Sequence, residues 1–196
     1  MIRNTIESWG WPARTLHWIV AELVIGLFGF GLWMTEVPPR EERHFYIAIH
    51  ASIGITLLAL MLVRLFWRAA NVEPDQPEGT PVWQRWAAWI SHRLLYALTF
   101  ATLIVGWLLS GALKQPLEPK ILGVVPVPQV LEAGSPYRRT LAEAHEWLAY
   151  ALIAVVAVHA AAALYYHFML RDSLMRRMLP GASQPKPEAV ATRSRP

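Results

Sequence analysis

Four stretches of the chain are almost continuously apolar, at about residues 16–35, 46–67, 88–113 and 148–170. Each is near the roughly 20 residues that an α-helix needs to cross a ~30 Å hydrocarbon core. The second contains IGITLLALMLV, where no charge or turn residue interrupts the pattern. The first follows WPARTLHW and leads into TEVPPREER with no small-residue cleavage site, so it reads as a retained helix and not as a cleaved leader. Polar, Pro- and Gly-bearing segments separate the four: TEVPPREER, NVEPDQPEGTPV and a long stretch from about Lys114 to Arg139. The pattern predicts an all-α integral membrane protein, a four-transmembrane-helix up-down bundle spanning residues 1–180, with its last helix extended back to about residue 141. Residues 181–196, PGASQPKPEAVATRSRP from Pro180 on, lack apolar periodicity and read as a disordered tail.

Composition agrees with a membrane protein. Of 196 residues, 55% are hydrophobic and 16% charged, with ten Trp. The net charge of +4 is small and its distribution matters more. With the N-terminus inside, twelve Lys and Arg fall on inner segments and six on outer ones (Arg40, Arg43, Lys114, Lys120, Arg138 and Arg139), so both termini are expected in the cytoplasm. No basic stripe suggests nucleic acid. There is no Cys, which excludes thiolate metal sites and Cys-bound iron–sulfur clusters and leaves His, Met or carboxylates to hold any cofactor.

Histidine is the informative residue. An ionisable ring in an apolar span is a functional candidate, although a single one also serves by bonding a polar neighbour. His17 opens the first span, His50 lies one turn into the second, and His145 and His159 both lie on the fourth. Fourteen residues separate the last two, about 21 Å of helical rise and almost a whole number of turns. One helix face therefore carries imidazoles at two depths, and depth pairs His50 with His145 at an outer level and His17 with His159 at an inner one. Two His from different helices suit the two faces of a haem, and zinc or copper would recruit more ligands at one depth. Two b-type haems with filled axial positions imply electron transfer and no open site for dioxygen.

The remaining candidates are secondary. His92 competes with His17 for the inner position and otherwise contacts a haem edge, a propionate or a quinone. His167, eight residues past His159, is a candidate for quinone or propionate contact, Trp18 and Arg14 are further candidates to line a quinone site, and His44 reads as a surface residue. Arg14, Arg64 and Arg93 are candidate propionate partners because a guanidinium fork matches a carboxylate, and simple snorkelling explains such residues too. The small residues Gly26, Gly29, Gly31, Gly54, Gly106 and Gly111 allow close approach of helices or of a macrocycle.

Taken together, RTLHW, IHASIG, SHRLLY, AHEWLAY, VHAAAALYYHF and RDSLMRRMLP resemble the bacterial cytochrome b561 family. The resemblance covers nearly all of the chain except the tail, and the family's haem ligands fall on His17, His50, His145 and His159. It implies a superoxide oxidase (superoxide:ubiquinone oxidoreductase) of the bacterial inner membrane, with two haem b, superoxide as donor and ubiquinone as acceptor. Two alternatives remain at this point: a cytochrome b anchor subunit passing electrons between a hydrogenase or dehydrogenase partner and quinone, and a haem-free bundle with structural histidines.

Overall fold

The computed structural model describes residues 1–76, 79–169 and 174–179. Four long helices dominate: α1 Trp11–Glu36, α2 Arg40–Ala69, α3 Val82–Ala112 and α4 Arg138–Phe168. Each is long and apolar enough to cross a membrane. A two-stranded hairpin, β1 Lys120–Ile121 and β2 Val125–Pro126, lies in the α3–α4 connection, and a short α5, Leu174–Met178, follows α4. The tail expected to be disordered and the last residue of the fourth apolar run lie outside the described residues.

All four helices begin before their apolar stretches because helical hydrogen bonding continues into the preceding turns. Proline sets where they begin. Pro12 occupies the first turn of α1, where its missing N–H costs nothing, and Pro39 and Pro81 are the residues just before α2 and α3. Glu41 and Glu42 in the first turn of α2, and Arg68 in its last, complement the helix dipole.

Packing follows chain order. The hairpins α1–α2 and α3–α4 pack along their lengths, α2 packs on α3, and α1 touches α4 sparsely. The buried core is built from Val20, Val24 and Leu27 of α1, Leu57 and Met61 of α2 and Leu152 of α4. Leu152 lies seven residues from both His145 and His159, about two turns each way, so this core occupies the depth between them.

Both ends of the bundle are closed by chain. On the side of the termini, Asn4 donates to the Val72 carbonyl (2.9 Å) and accepts from the Gly10 N–H (2.9 Å). Gly10 is required there, since a Cβ would lie 2.1 Å from the Ile2 carbonyl oxygen. Arg14 donates to the Leu179 carbonyl (3.0 Å) and Trp18 to that of Met178 (2.8 Å), which fastens the end of α5 to α1. On the opposite side, hereafter the loop side, the α3–α4 connection folds back onto α3. Trp107 donates to the Pro128 carbonyl (3.2 Å), Ser110 bonds Gln129 (3.2 Å), and Gln129 bonds the Leu117 carbonyl. Gly111 makes this closure possible: a Cβ would fall 2.7 Å from Gln129 Oε1 and 3.0 Å from the Leu131 carbonyl oxygen.

Candidate functional site

Two imidazole pairs converge at two depths. On the loop side, the rings of His50 (α2) and His145 (α4) have centroids 6.2 Å apart with planes at 86°. The His145 Nδ1 lies 3.0 Å from the Thr102 carbonyl oxygen of α3. A carbonyl only accepts, so Nδ1 carries the proton and Nε2 keeps its lone pair. Glycine makes room for both rings. A Cβ at Gly31 would meet His50 Cε1 at 3.4 Å, and one at Gly106 would meet His145 Cε1 at 2.8 Å. His50 Nδ1 is buried and has no hydrogen-bond partner.

On the terminal side, His17 (α1) and His159 (α4) have centroids 6.5 Å apart with planes at 79°. His17 Nδ1 is likewise buried without a partner. His92 of α3 lies nearer, its centroid 5.4 Å from that of His159 at 63°. Arg64 of α2 is within electrostatic reach of His17, His92 and His159. Its Nε donates to the Tyr96 hydroxyl (3.1 Å), and Arg64 and Arg68 both lie over the Tyr96 ring, at 5.6 and 5.5 Å from its centroid. Arg68 is further held by Glu73.

The other sequence candidates separate from these pairs. Arg93 is exposed and stacks on Trp89, 3.7 Å from the ring centroid. Arg14 is engaged with the Leu179 carbonyl just after α5, and Trp18 with that of Met178 at its end. His44 is exposed at the start of α2. His167 stands near the end of α4 with its Nδ1 buried and unpartnered. Sequence reasoning passed over Thr102, Tyr96 and Glu22. The first two carry no signal until α3 is docked on α4 and α2. Glu22 was legible, as an acidic residue in the middle of α1, where it lines a groove of about 160 Å³ with Gly26, Phe30 and Ile53.

A sequence model of the prokaryotic cytochrome b561 family matches residues 8–181. The chain belongs to this family. Among curated relatives, it is 33% identical over 178 residues to Cytochrome b561 homolog 2 of Escherichia coli (strain K12), covering 90% of this chain and 93% of that protein. It is 27% identical over 176 residues to Probable superoxide oxidase CybB of Yersinia pestis, covering 84% and 92%. Cytochrome b562 of Cereibacter sphaeroides is 28% identical over 173 residues, covering 84% and 90%.

Proteins of the cytochrome b561 family are b-type haem proteins, and the side chains of this cytochrome can be tested against that group. An imidazole nitrogen binds a first-row metal at about 2.0–2.1 Å and lies about 1.1 Å from its own ring centroid, so two axial rings on one iron have centroids about 6.3 Å apart. The observed 6.2 and 6.5 Å fit. The His92–His159 separation of 5.4 Å is too short, which favours His17 over its competitor. Among the described residues no cluster of three or more His, Asp or Glu is able to hold a bare ion. Two protein nitrogens per level suit a metal that brings its remaining ligands in a macrocycle. Electron transfer is the chemistry expected of such a redox protein, in a multi-pass bacterial membrane protein.

Proposed function

We propose that this cytochrome is a dihaem superoxide oxidase, in which His50 with His145 and His17 with His159 would hold the iron of two haem b. The observation that carries the reading is the pair of 6.2 and 6.5 Å ring separations, built on two His of α4 fourteen residues apart. The haems supply reversible one-electron exchange. The net reaction oxidises two superoxide ions to dioxygen and reduces one ubiquinone, with two protons, to ubiquinol. Superoxide as donor is supported by the relative named Probable superoxide oxidase CybB.

The side chains divide the work by depth. The excess of Lys and Arg on the terminal side orients that side to the cytoplasm, so superoxide meets the loop side. Arg40, Arg43, Lys114, Lys120 and Arg138 raise the local concentration of a small anion there, whereas Arg139 is paired with Glu143 at 2.8 Å. Thr102 holds the His145 ring in one tautomer and orientation. The Val20, Leu57 and Leu152 core keeps water from the region between the levels. On the terminal side Arg64, ordered by Tyr96, is the propionate partner we favour over Arg14 and Arg93. His92 and His167 are the groups we assign to proton delivery for quinone, with Trp18 nearby.

The test is to add superoxide to the detergent-purified cytochrome with and without ubiquinone, following haem absorption and quinol. Superoxide should reduce the b-type bands, and quinone should reoxidise them with formation of quinol. Reduction no faster than in a His159→Ala variant defeats the superoxide assignment and favours a partner subunit as donor. A reduced-minus-oxidised spectrum without b-type bands defeats the haem assignment itself.

A further inference from the structure

The β1–β2 hairpin is tied to a part of α2 well inside its apolar run, not at its edge. Lys120 N–H donates to Ser52 Oγ (3.3 Å) and Leu122 N–H to Thr56 Oγ1 (2.9 Å), while the Thr56 hydroxyl donates to the Ser52 carbonyl (2.8 Å). Arg43 is the last charged residue on the loop-side turns of α2, and no charge follows until Arg64. Counted from Tyr46, Ser52 and Thr56 are six and ten residues along the helix, about 9 and 15 Å deeper. Half of a ~30 Å hydrocarbon core is ~15 Å.

Irregular backbone survives at that depth only if its polar groups are satisfied within the protein. The N–H groups of residues 119–128, PKILGVVPVP, meet that demand. Pro119, Pro126 and Pro128 have no N–H to satisfy. Gly123 donates to the Lys120 carbonyl (3.2 Å), Val124 to that of Ile121 (3.0 Å) and Val127 to that of Pro119 (3.0 Å). Ile121 and Val125 face each other across the hydrogen-bonded strand pair. The reversal uses left-handed backbone at Leu122 (φ 52°) and Gly123 (φ 72°). What the turn then presents is apolar: Leu122 is 77% exposed, Val124 76% and Val125 56%. The one charge, Lys120, has a stem long enough to carry its ammonium outward.

We infer that residues 119–128 form a re-entrant hairpin embedded in the loop-side leaflet, with Leu122, Val124 and Val125 among lipid acyl chains. Its docking at Ser52, two residues from His50, makes it a lipid-side wall beside the loop-side pair. The inference does not depend on the redox reading.

Because the chain contains no Cys, single-cysteine labelling needs no prior replacement. Val124→Cys and Val125→Cys are labelled with a nitroxide in the full-length protein reconstituted into phosphatidylcholine vesicles. Ile25→Cys on the mid-span of α1 serves as the lipid reference and Glu41→Cys as the aqueous one. Leu122 is left intact because of its left-handed backbone. Power saturation with oxygen, which partitions into acyl chains, and with a water-soluble nickel chelate reports the surroundings. Val124 and Val125 should show oxygen-to-nickel accessibility ratios several-fold above Glu41 and close to Ile25. A ratio at Val124 equal to that of Glu41 overturns the inference and makes the hairpin the wall of an aqueous vestibule. Val125 gives the same decision if the Val124 variant does not fold.

Discussion

Substituting Gly106 by Ala tests the loop-side site through a residue that bears no functional group. A Cβ at this position would lie 2.8 Å from His145 Cε1 and 3.1 Å from Nδ1. Non-bonded carbons settle at about 3.5–4.0 Å, so the ring has to retreat by about 0.7 Å or more. The retreat strains the 3.0 Å bond from Nδ1 to the Thr102 carbonyl. Overpacking of this kind costs about 1–3 kcal/mol and a lost hydrogen bond about 0.5–1.5 kcal/mol. Together they amount to about 1.5–4.5 kcal/mol, or roughly 10- to 2,000-fold in affinity for a group that needs His145 in place. The assay is haem per chain from the pyridine haemochrome, with a low-temperature spectrum to resolve the two sites. On the proposed dihaem reading, haem content should roughly halve, with the His17–His159 site retained. Gly26→Ala is the control, since a Cβ there meets nothing within 4 Å. Full haem content and an unchanged spectrum in Gly106→Ala would refute the placement of His145 as a ligand held between α3 and α4.

Three further outcomes follow from the proposed function. His17→Ala should lose the terminal-side haem while His92→Ala keeps both, as measured by haem content; the reverse result would exchange the roles of His17 and His92. Arg64→Gln should lower the potential of the terminal-side haem by tens of millivolts in a redox titration, since a unit charge about 10 Å away is worth about 1.7 kcal/mol at an effective dielectric near 20. Arg93→Gln should leave that potential unchanged, because Arg93 is exposed on Trp89. The rate of superoxide-driven haem reduction should fall as ionic strength rises from about 10 to 150 mM, where the Debye length shrinks from ~30 to ~8 Å; a salt-independent rate would dismiss electrostatic steering by the loop-side cations.

The four spans were legible because crossing hydrocarbon imposes a length and an apolarity that no fold-specific packing can override. Their ends were less so: α1, α2, α3 and α4 all begin several residues before the apolar run, in WPAR, REER, VWQRWA and RRTLAE. Those turns are polar because they face water, and hydropathy sees the bilayer and not the helix. The two-level arrangement was also legible, since His145 and His159 share a face of one continuous helix and helical periodicity alone relates them. Depth then placed His50 and His17 near their partners.

What the sequence determined by itself is therefore whatever repeats along one helix axis: four spans, two depths, and a family signature spread over nearly the whole chain. Only the tertiary structure decided relations between helices. It set His17 at 6.5 Å and His92 at 5.4 Å from the same ring, a distinction of about 1 Å that depth cannot make. It tied Arg64 to the Tyr96 hydroxyl and stacked Arg93 on Trp89, although both follow the same rule of basic residues at helix ends. It also revealed Thr102, Gly31 and Gly106 as neighbours of the loop-side rings, and carried a loop read as mere connection down along α2 to Thr56. The reason is the same in each case: side chains on different helices meet through the rotation and tilt of whole helices, and these are settled by the summed packing of the bundle rather than by any local stretch of residues.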